Sequence, residues 1–233
     1  MTNEVNPTKT IKTIGILGGL GPETTAEFYL DLVHMATRRT RPALCVWSLP
    51  LDPRKEAEYI AAGKNTRYYL AQLLDGAKRL EQAGSDHIVI PCNTVHEFHS
   101  KIARVVNIPV TNLIKVVAQE VLRRGWQKVM LLATTRTVRQ RLYQRALADV
   151  GLDIHVPSAE KQQKLDLLIQ GLLGNKKDDA HQQFLKDLIA QARTEHIILG
   201  CTDLQLLFPP SETVVDSMKT LVDHTARLIT QNP

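Results

Sequence analysis
The chain is short of aromatic residues, of cysteine and of long apolar runs, and each shortage removes a class of protein. Aromatics make up 5% of the 233 residues, so there is no row of rings on which bases could stack. The net charge of +5 is scattered, apart from short clusters such as Arg38-Arg39-Thr40-Arg41, which argues against nucleic-acid binding. Three cysteines, Cys45, Cys92 and Cys201, are too few for a disulfide framework and fit a reducing compartment. No apolar run reaches membrane-spanning length. Residues 1–7 are polar and have no signal-peptide core. These features predict a soluble, cytoplasmic protein with no nucleic-acid or membrane partner. The basic balance is compatible with a small anionic substrate.

What is present is alternation. With 43% hydrophobic residues, the chain can bury a substantial core in one large domain or two small ones. Short apolar runs predict strands at 13–17, 43–48, 87–90, 109–111, 128–133, 153–156, 196–199 and 214–215. Amphipathic stretches predict helices at 22–39, 65–83, 94–106, 113–124, 138–150, 160–173, 178–192 and 217–230. Strand–helix alternation of this kind predicts an α/β protein built on mostly parallel sheet with helices on both faces.

Two stretches repeat one another. Asp86-His87-Ile88-Val89-Ile90-Pro91-Cys92-Asn93-Thr94 and Glu195-His196-Ile197-Ile198-Leu199-Gly200-Cys201-Thr202-Asp203 each run from an acid and a histidine through an apolar strand to a cysteine and small polar residues. Each cysteine falls where a strand ends and a helix begins, the edge at which open α/β sheets bind ligands. Lys12–Gly18 is echoed by Lys128–Thr134, each followed by a helix bearing a tyrosine, Tyr29 or Tyr143. Two similar lobes facing one another account for the duplication. Cuts near 111–113 and near Asp216 divide it into an N-terminal lobe of 1–112 plus 217–233, carrying Cys92, and a C-terminal lobe of 113–216, carrying Cys201.

A single cysteine reads most simply as a small buried hydrophobe, and Cys45, inside a strand, is read that way. Two in matched contexts read instead as a pair of proton-transfer groups, with sulfurs roughly 7 Å apart across one substrate carbon if each contact is about 3–3.5 Å. Asn93, Thr94, Thr202 and Asp203 can cap or orient those turns. The loop Gly18-Gly19-Leu20-Gly21-Pro22 opens a helix and lets main-chain N–H groups approach an anion, Gly19 among them. It is neither a dinucleotide fingerprint nor a Walker loop, and a tight turn that needs glycine explains it equally well. Cys92, His96 and His99 share a helical spacing but have no matching ligands in the second half, so no metal is expected. His96 is read as lining the site or bonding near Cys92, and His99 as solvated. Lys164 and Arg54 are candidates for binding a carboxylate, against an ordinary solvated role.

These residues together resemble the aspartate/glutamate racemase family of cofactor-independent amino-acid racemases. The resemblance rests on Gly18-Gly19-Leu20-Gly21-Pro22 with Thr25, on Pro91-Cys92-Asn93-Thr94-Val95-His96, on Leu131-Leu132-Ala133-Thr134 and on Gly200-Cys201-Thr202-Asp203, and it covers most of the chain. It implies two pseudo-symmetric α/β lobes with the active site in the cleft between them, homodimers, and no pyridoxal phosphate or other cofactor. It implies that Cys92 and Cys201 are the catalytic thiols. It also implies a substrate amino acid, usually acidic, read by Lys164, Arg54 or Arg136; abstraction of its Cα proton without a cofactor needs preorganised N–H donors at the α-carboxylate, for which the amides of Asn93, Thr94, Thr134, Thr135 and Thr202 are candidates. The chain departs from the family pattern at Asp203, where Glu is usual, at Thr24, where Ala is common, and at Arg136, where aspartate racemases tend to have Gly and broader-specificity relatives an arginine. Two alternatives stay open: a related cysteine-dependent maleate isomerase or decarboxylase, and a non-catalytic amino-acid-binding protein on the same scaffold.

Overall fold
The structure is a computed structural model that describes residues 13–35, 41–148, 151–192, 194, 196–208 and 211–230. It contains two parallel sheets. The first is built from β1 (Ile14–Gly18), β2 (Leu44–Ser48) and β3 (His87–Val89), in the order β2-β1-β3. The second is built from β4 (Lys128–Leu132), β5 (Asp153–His155), β6 (Ile197–Leu199) and β7 (Val214–Asp216), in the order β5-β4-β6-β7. A single parallel bridge between Ile88 and Val110 adds a fourth position beside β3. With it both sheets share one order: second strand, first, third, fourth. The predicted strand at 109–111 is reduced to that bridge because Pro109 has no N–H to donate; only its carbonyl takes part, accepting from Ile88 N at 2.9 Å.

Each central strand buries both faces, as parallel strands covered by crossover helices must. Along β1, Ile14 and Ile16 face one hydrophobic cluster and Leu17 the other. Along β4, Val129 and Leu131 alternate in the same way with Met130 and Leu132. Ile14, Ile16, Val129 and Leu131 lie in one cluster, so the two sheets share a core. Helices α1 (Pro22–Met35), α5 (Leu113–Arg123) and α10 (Ser217–Thr230) fill it. α5 repeats apolar residues at helical spacing and is capped by Asn112, whose side chain accepts from Lys115 N. α10 begins where Asp216 Oδ1 accepts from Met218 N at 2.8 Å.

The outer helices are α2 (Pro53–Ala62), α3 (Thr66–Gln82), α4 (His99–Ala103), α6 (Thr135–Arg139), α7 (Leu142–Ala146), α8 (Ala159–Leu173) and α9 (Asp179–Ala190). α2 stands where the sequence pattern predicts neither helix nor strand. Its ends follow the rules for a helix: Asp52 accepts from Arg54 N and Lys55 N, Pro53 opens the first turn, and Gly63 closes the last with φ +68. The helix predicted over 94–106 is a 3₁₀ turn, Thr94–Phe98, followed by α4. That over 138–150 is broken at Arg141, which takes a left-handed φ of +51, and its last two residues lie outside the described ones. So do residues 36–39 of the first predicted helix.

The echo of tyrosines does not survive. Tyr143 is fully buried, whereas Tyr29 is exposed. Tyr143 Oη donates to Asn93 Oδ1 at 2.5 Å, and Asn93 Nδ2 donates to Ser217 Oγ at 2.9 Å. Removing the Tyr143 hydroxyl strands a buried acceptor, which costs about 1–3 kcal/mol. Tyr143→Phe is therefore expected to lower the unfolding free energy by that amount, seen in urea unfolding as a lower midpoint at unchanged m-value.

Candidate active site
The turns after β3 and β6 carry Cys92 and Cys201, and both thiols line one narrow cavity of about 20 Å³, little more than the room one water molecule needs. Asn93, Thr94, Thr134, Thr202 and Asp203 line it as well. The two lobes are tied around it by side chains. Thr94 Oγ1 lies 3.1 Å from Thr134 Oγ1, and Thr202 Oγ1 donates to the Pro91 carbonyl at 3.1 Å. Thr24 Oγ1 donates to Asp203 Oδ1 across the same gap. Gly21 permits that contact. Its φ is +100, and a Cβ there would stand 2.6 Å from Asp203 Oδ1.

Both thiols are held in the neutral form. The Cys92 sulfur is surrounded by protein, although part of the residue stays exposed, and burial pushes its pKa up to about 12. The main-chain N–H groups of Val95 and Thr94 pull the other way, and the charges of Asp203 and Glu56 add to the rise. Burial also pushes Cys201 well above the ordinary thiol range, with the Asp203 charge next in weight. Cys201 Sγ lies 3.6 Å from Asp203 Oδ2, as donor to the carboxylate. Asp203 itself is raised to about 6 by burial, against the bonds from Thr24 and Cys201 that favour its charged form.

His96 supports the first turn from behind. Its Nδ1 is 2.7 Å from the Cys92 carbonyl, and Leu113 N donates to its Nε2 at 3.0 Å. That arrangement places the ring proton on Nδ1. Burial lowers the His96 pKa to about 4, so the ring is neutral at physiological pH. His99, read from sequence as solvated, is half-buried, with Nε2 2.9 Å from the Val110 carbonyl. Cys45 packs at the margin of the core. Among the described residues no group of three or more His, Cys, Asp or Glu could hold a metal ion.

Several predicted contacts lie elsewhere. Gly19 does not reach the cavity. Its N–H donates to Thr25 Oγ1 at 3.0 Å, and a Cβ there would meet the backbone of Leu49. The N–H and hydroxyl of Thr135 both go to Asp166, at 2.9 and 2.6 Å. Arg54 is exposed in the first turn of α2. Lys164 is exposed and pairs with Glu160 at 2.8 Å. Arg136 forms a two-pronged pair with Glu97, at 2.9 and 2.7 Å, and lies over the Tyr59 ring.

The cavity also holds groups that the sequence did not nominate. Glu56, Tyr59 and Ile60 reach it from α2, and Tyr69 from α3. Tyr59 and Tyr69 are stacked with centroids 4.2 Å apart. Tyr69 Oη donates to Glu56 Oε1 at 2.9 Å, and Tyr59 Oη donates to Glu97. Burial raises the Glu56 pKa, with the Tyr69 bond opposing. A signal for this wall exists in the sequence: Asp52-Pro53 and Gly63 bracket a helix whose positions 56, 59 and 60 fall on one face.

A model of the family described as Asp/Glu/Hydantoin racemase matches residues 17–225. The broad specificity amino-acid racemase RacX of Bacillus subtilis (strain 168) is 25% identical over 225 residues, covering 91% of this chain and 96% of that one. The glutamate racemase of Aquifex pyrophilus is 29% identical over 163 residues, covering 64% and 60%. The crystal structure of an aspartate racemase homologue from Pyrococcus horikoshii OT3 superposes with a TM-score of 0.76 at 29% identity, covering 94% of this chain and 100% of that one. The Picrophilus torridus aspartate racemase gives 0.78 at 22% identity, covering 95% of each, a likeness of fold.

A thiol raised to about 12 is almost wholly protonated at neutral pH. Alkylation of Cys92 by iodoacetamide, followed by peptide mass spectrometry in the absence of substrate, is expected to accelerate about tenfold per pH unit from pH 7 to 10, because the thiolate is the nucleophile. A plateau below pH 9 would contradict the assignment.

Proposed function
The chain belongs to the Asp/Glu/Hydantoin racemase family, and on that premise we propose that it interconverts the L and D enantiomers of an amino acid by passing a proton at Cα between Cys92 and Cys201, without pyridoxal phosphate. The observation that carries this reading is the shared cavity, with one thiol delivered from the end of β3 and one from the end of β6. In one direction the Cys92 thiolate takes the Cα proton. The C–H electron pair moves into the α-carboxylate as an enediolate. Cys201 then gives its S–H proton to the opposite face and is left as thiolate. In the other direction the roles exchange.

The difficulty lies in forming a thiolate where burial opposes it. A substrate ammonium supplies what is missing. At about 4 Å and an effective dielectric near 20, one opposite charge is worth about 4 kcal/mol, or about three pKa units. That brings Cys92 into the range where a thiol can serve as base. The N–H groups of Thr94 and Val95 aim at the same sulfur, and Asp203 orients the Cys201 thiol. The hydroxyl of Thr202 and the amide of Asn93 already have protein partners. What this rim offers an enediolate is main-chain N–H, a preorganised donor set of the kind that stabilises developing charge.

The chain is further read as a cytoplasmic homodimer. Exposed Tyr29 and Leu30 on α1 and Val46 on the edge strand β2 support self-association. Three free cysteines among the described residues suit a reducing compartment. No helix of the described residues is long and apolar enough to cross a membrane.

Cys92→Ala and Cys201→Ala are each expected to lower racemisation by about 10²–10⁴-fold, the worth of a positioned acid or base. With one thiol removed, exchange of the Cα proton with solvent deuterium should persist for one enantiomer only, and the two variants should retain opposite enantiomers. Near wild-type racemisation by either variant would end the two-thiol mechanism. Activity that needs Cys92 alone and leaves no label at Cα would favour a single-cysteine isomerase.

A further inference from the structure
The turns that carry the two thiols are weakly secured from within. Each leads into a 3₁₀ helix of 5 residues, Thr94–Phe98 after Cys92 and Thr202–Leu206 after Cys201. Neither helix has a side-chain cap at its start, and 3₁₀ hydrogen bonds are poorer than those of an α-helix. A thiol that must meet one face of a carbon needs firmer support, since a misplacement of about 1 Å can cost about 10²-fold in rate.

That support comes from across the cavity, and it is reciprocal. The turn after Cys92 belongs to the first sheet and is gripped by α6, the helix that follows β4 of the second. Thr94 Oγ1 lies 3.1 Å from Thr134 Oγ1, at the cap of α6, and 3.2 Å from Thr137 Oγ1. Glu97 accepts both prongs of Arg136, at 2.9 and 2.7 Å. The turn after Cys201 belongs to the second sheet and is gripped by α1, the helix that follows β1 of the first. Asp203 accepts from Thr24, and Gln205 Nε2 donates to Glu27 Oε2 at 3.1 Å. Thr24 and Glu27 stand at i and i+3, so they share one face of α1.

Resting on the racemase reading above, we propose that the outer pair of each grip positions one thiol: Arg136–Glu97 aims Cys92, and Glu27–Gln205 aims Cys201. None of these four residues is among those lining the cavity, so they act through the turns and not on the substrate. Arg136, a substrate cation by sequence pattern, is then a fastener. Its pair with Glu97 is mostly buried, with side-chain exposures of 19% and 8%. Glu27 and Gln205 are half-buried. Inversion needs both thiols, and two enantiomers are equal in free energy in water. Loosening either grip therefore lowers kcat/KM equally in both directions. The grips differ only in exchange without inversion. There one thiolate takes the Cα proton, its S–H exchanges with heavy water, and a deuteron returns to the same face.

The test is deuterium incorporation at Cα of the recovered starting enantiomer in heavy water, read by NMR after chiral separation. The probes are both enantiomers of alanine, methionine, lysine, aspartate and glutamate. Cys92→Ala and Cys201→Ala define which enantiomer depends on which thiol. Arg136→Met and Glu97→Gln are combined, so that no buried charge is left unpaired. This double variant is expected to lower exchange about tenfold for the enantiomer that Cys92→Ala loses, and to leave the other within about threefold. Gln205→Leu should give the opposite pattern, that of Cys201→Ala. Glu27→Gln keeps an acceptor for Gln205 and should stay within about threefold of wild type on both enantiomers. The retained exchange reports that each variant is folded. Equal loss on both enantiomers, the same enantiomer lost in both variants, or no loss in either would overturn the inference and leave the racemase standing. A loss in the double variant confined to aspartate and glutamate would also overturn it, since Arg136 would then read the substrate side chain. If the double variant does not fold, Gln205→Leu alone decides. Absence of exchange by wild type with every probe would remove the racemase reading and this inference with it.

Discussion
A parallel sheet has no face to spare for water, and this chain has two such sheets. Each central strand is buried on both sides, so each sheet needs a layer of helices above and below. The chain answers with one shared layer: α1, α5 and α10 fill the core to which Ile14 and Ile16 of the first sheet and Val129 and Leu131 of the second both contribute. That economy sets the geometry of everything else. Two sheets of the same strand order, packed through a common layer, bring the turns after their third strands to a single cavity. The thiols face one space because the hydrophobic core leaves the sheets little other choice.

The second theme is electrostatic. The cavity gathers two thiols and two carboxyls, and burial works against the charged form of all four. In the empty site the neutral forms of these groups are favoured. On the proposed mechanism, a cationic group that enters lowers the local penalty on negative charge and makes proton transfer feasible. On that mechanism the ligand is part of the catalytic apparatus. The framework contributes fixed dipoles, from the N–H groups of Thr94, Val95 and Asp203, already aimed at the sulfurs.

Much of this was legible in the sequence, because the relevant signals are local. The apolar runs that become β1, β3, β4 and β6 are short and bounded by turn residues. The helix Ser217–Thr230 has the predicted limits. The two cysteines repeat a context that periodicity alone would flag. What was not legible depends on partners distant along the chain. The sequence offers Arg136 as a substrate cation and Thr135 as a donor, but Glu97 holds the first and Asp166 occupies the second. α2 was missed because its composition is polar and its buried face is only a few residues wide. With it went Glu56 and Tyr59, the wall opposite the thiols. Tyr29 and Tyr143 look alike in sequence, and only packing separates them.

The contact of Thr24 with Asp203 bears on how this site can change over generations. The first turn of α1 in one lobe and the turn after β6 in the other meet through this hydrogen bond, and Gly21 leaves no room beside it for a side chain. Lengthening the acid alone would drive it against Gly21 and the first turn of α1. Losing the hydroxyl alone would strand a buried carboxyl. The three positions therefore form an epistatic unit, and their substitutions should be strongly non-additive, as expected of residues that share one contact. A change at 21, 24 or 203 is therefore to be read together with the residues at the other two, since the carboxylate beside the second thiol is held only by their combined fit.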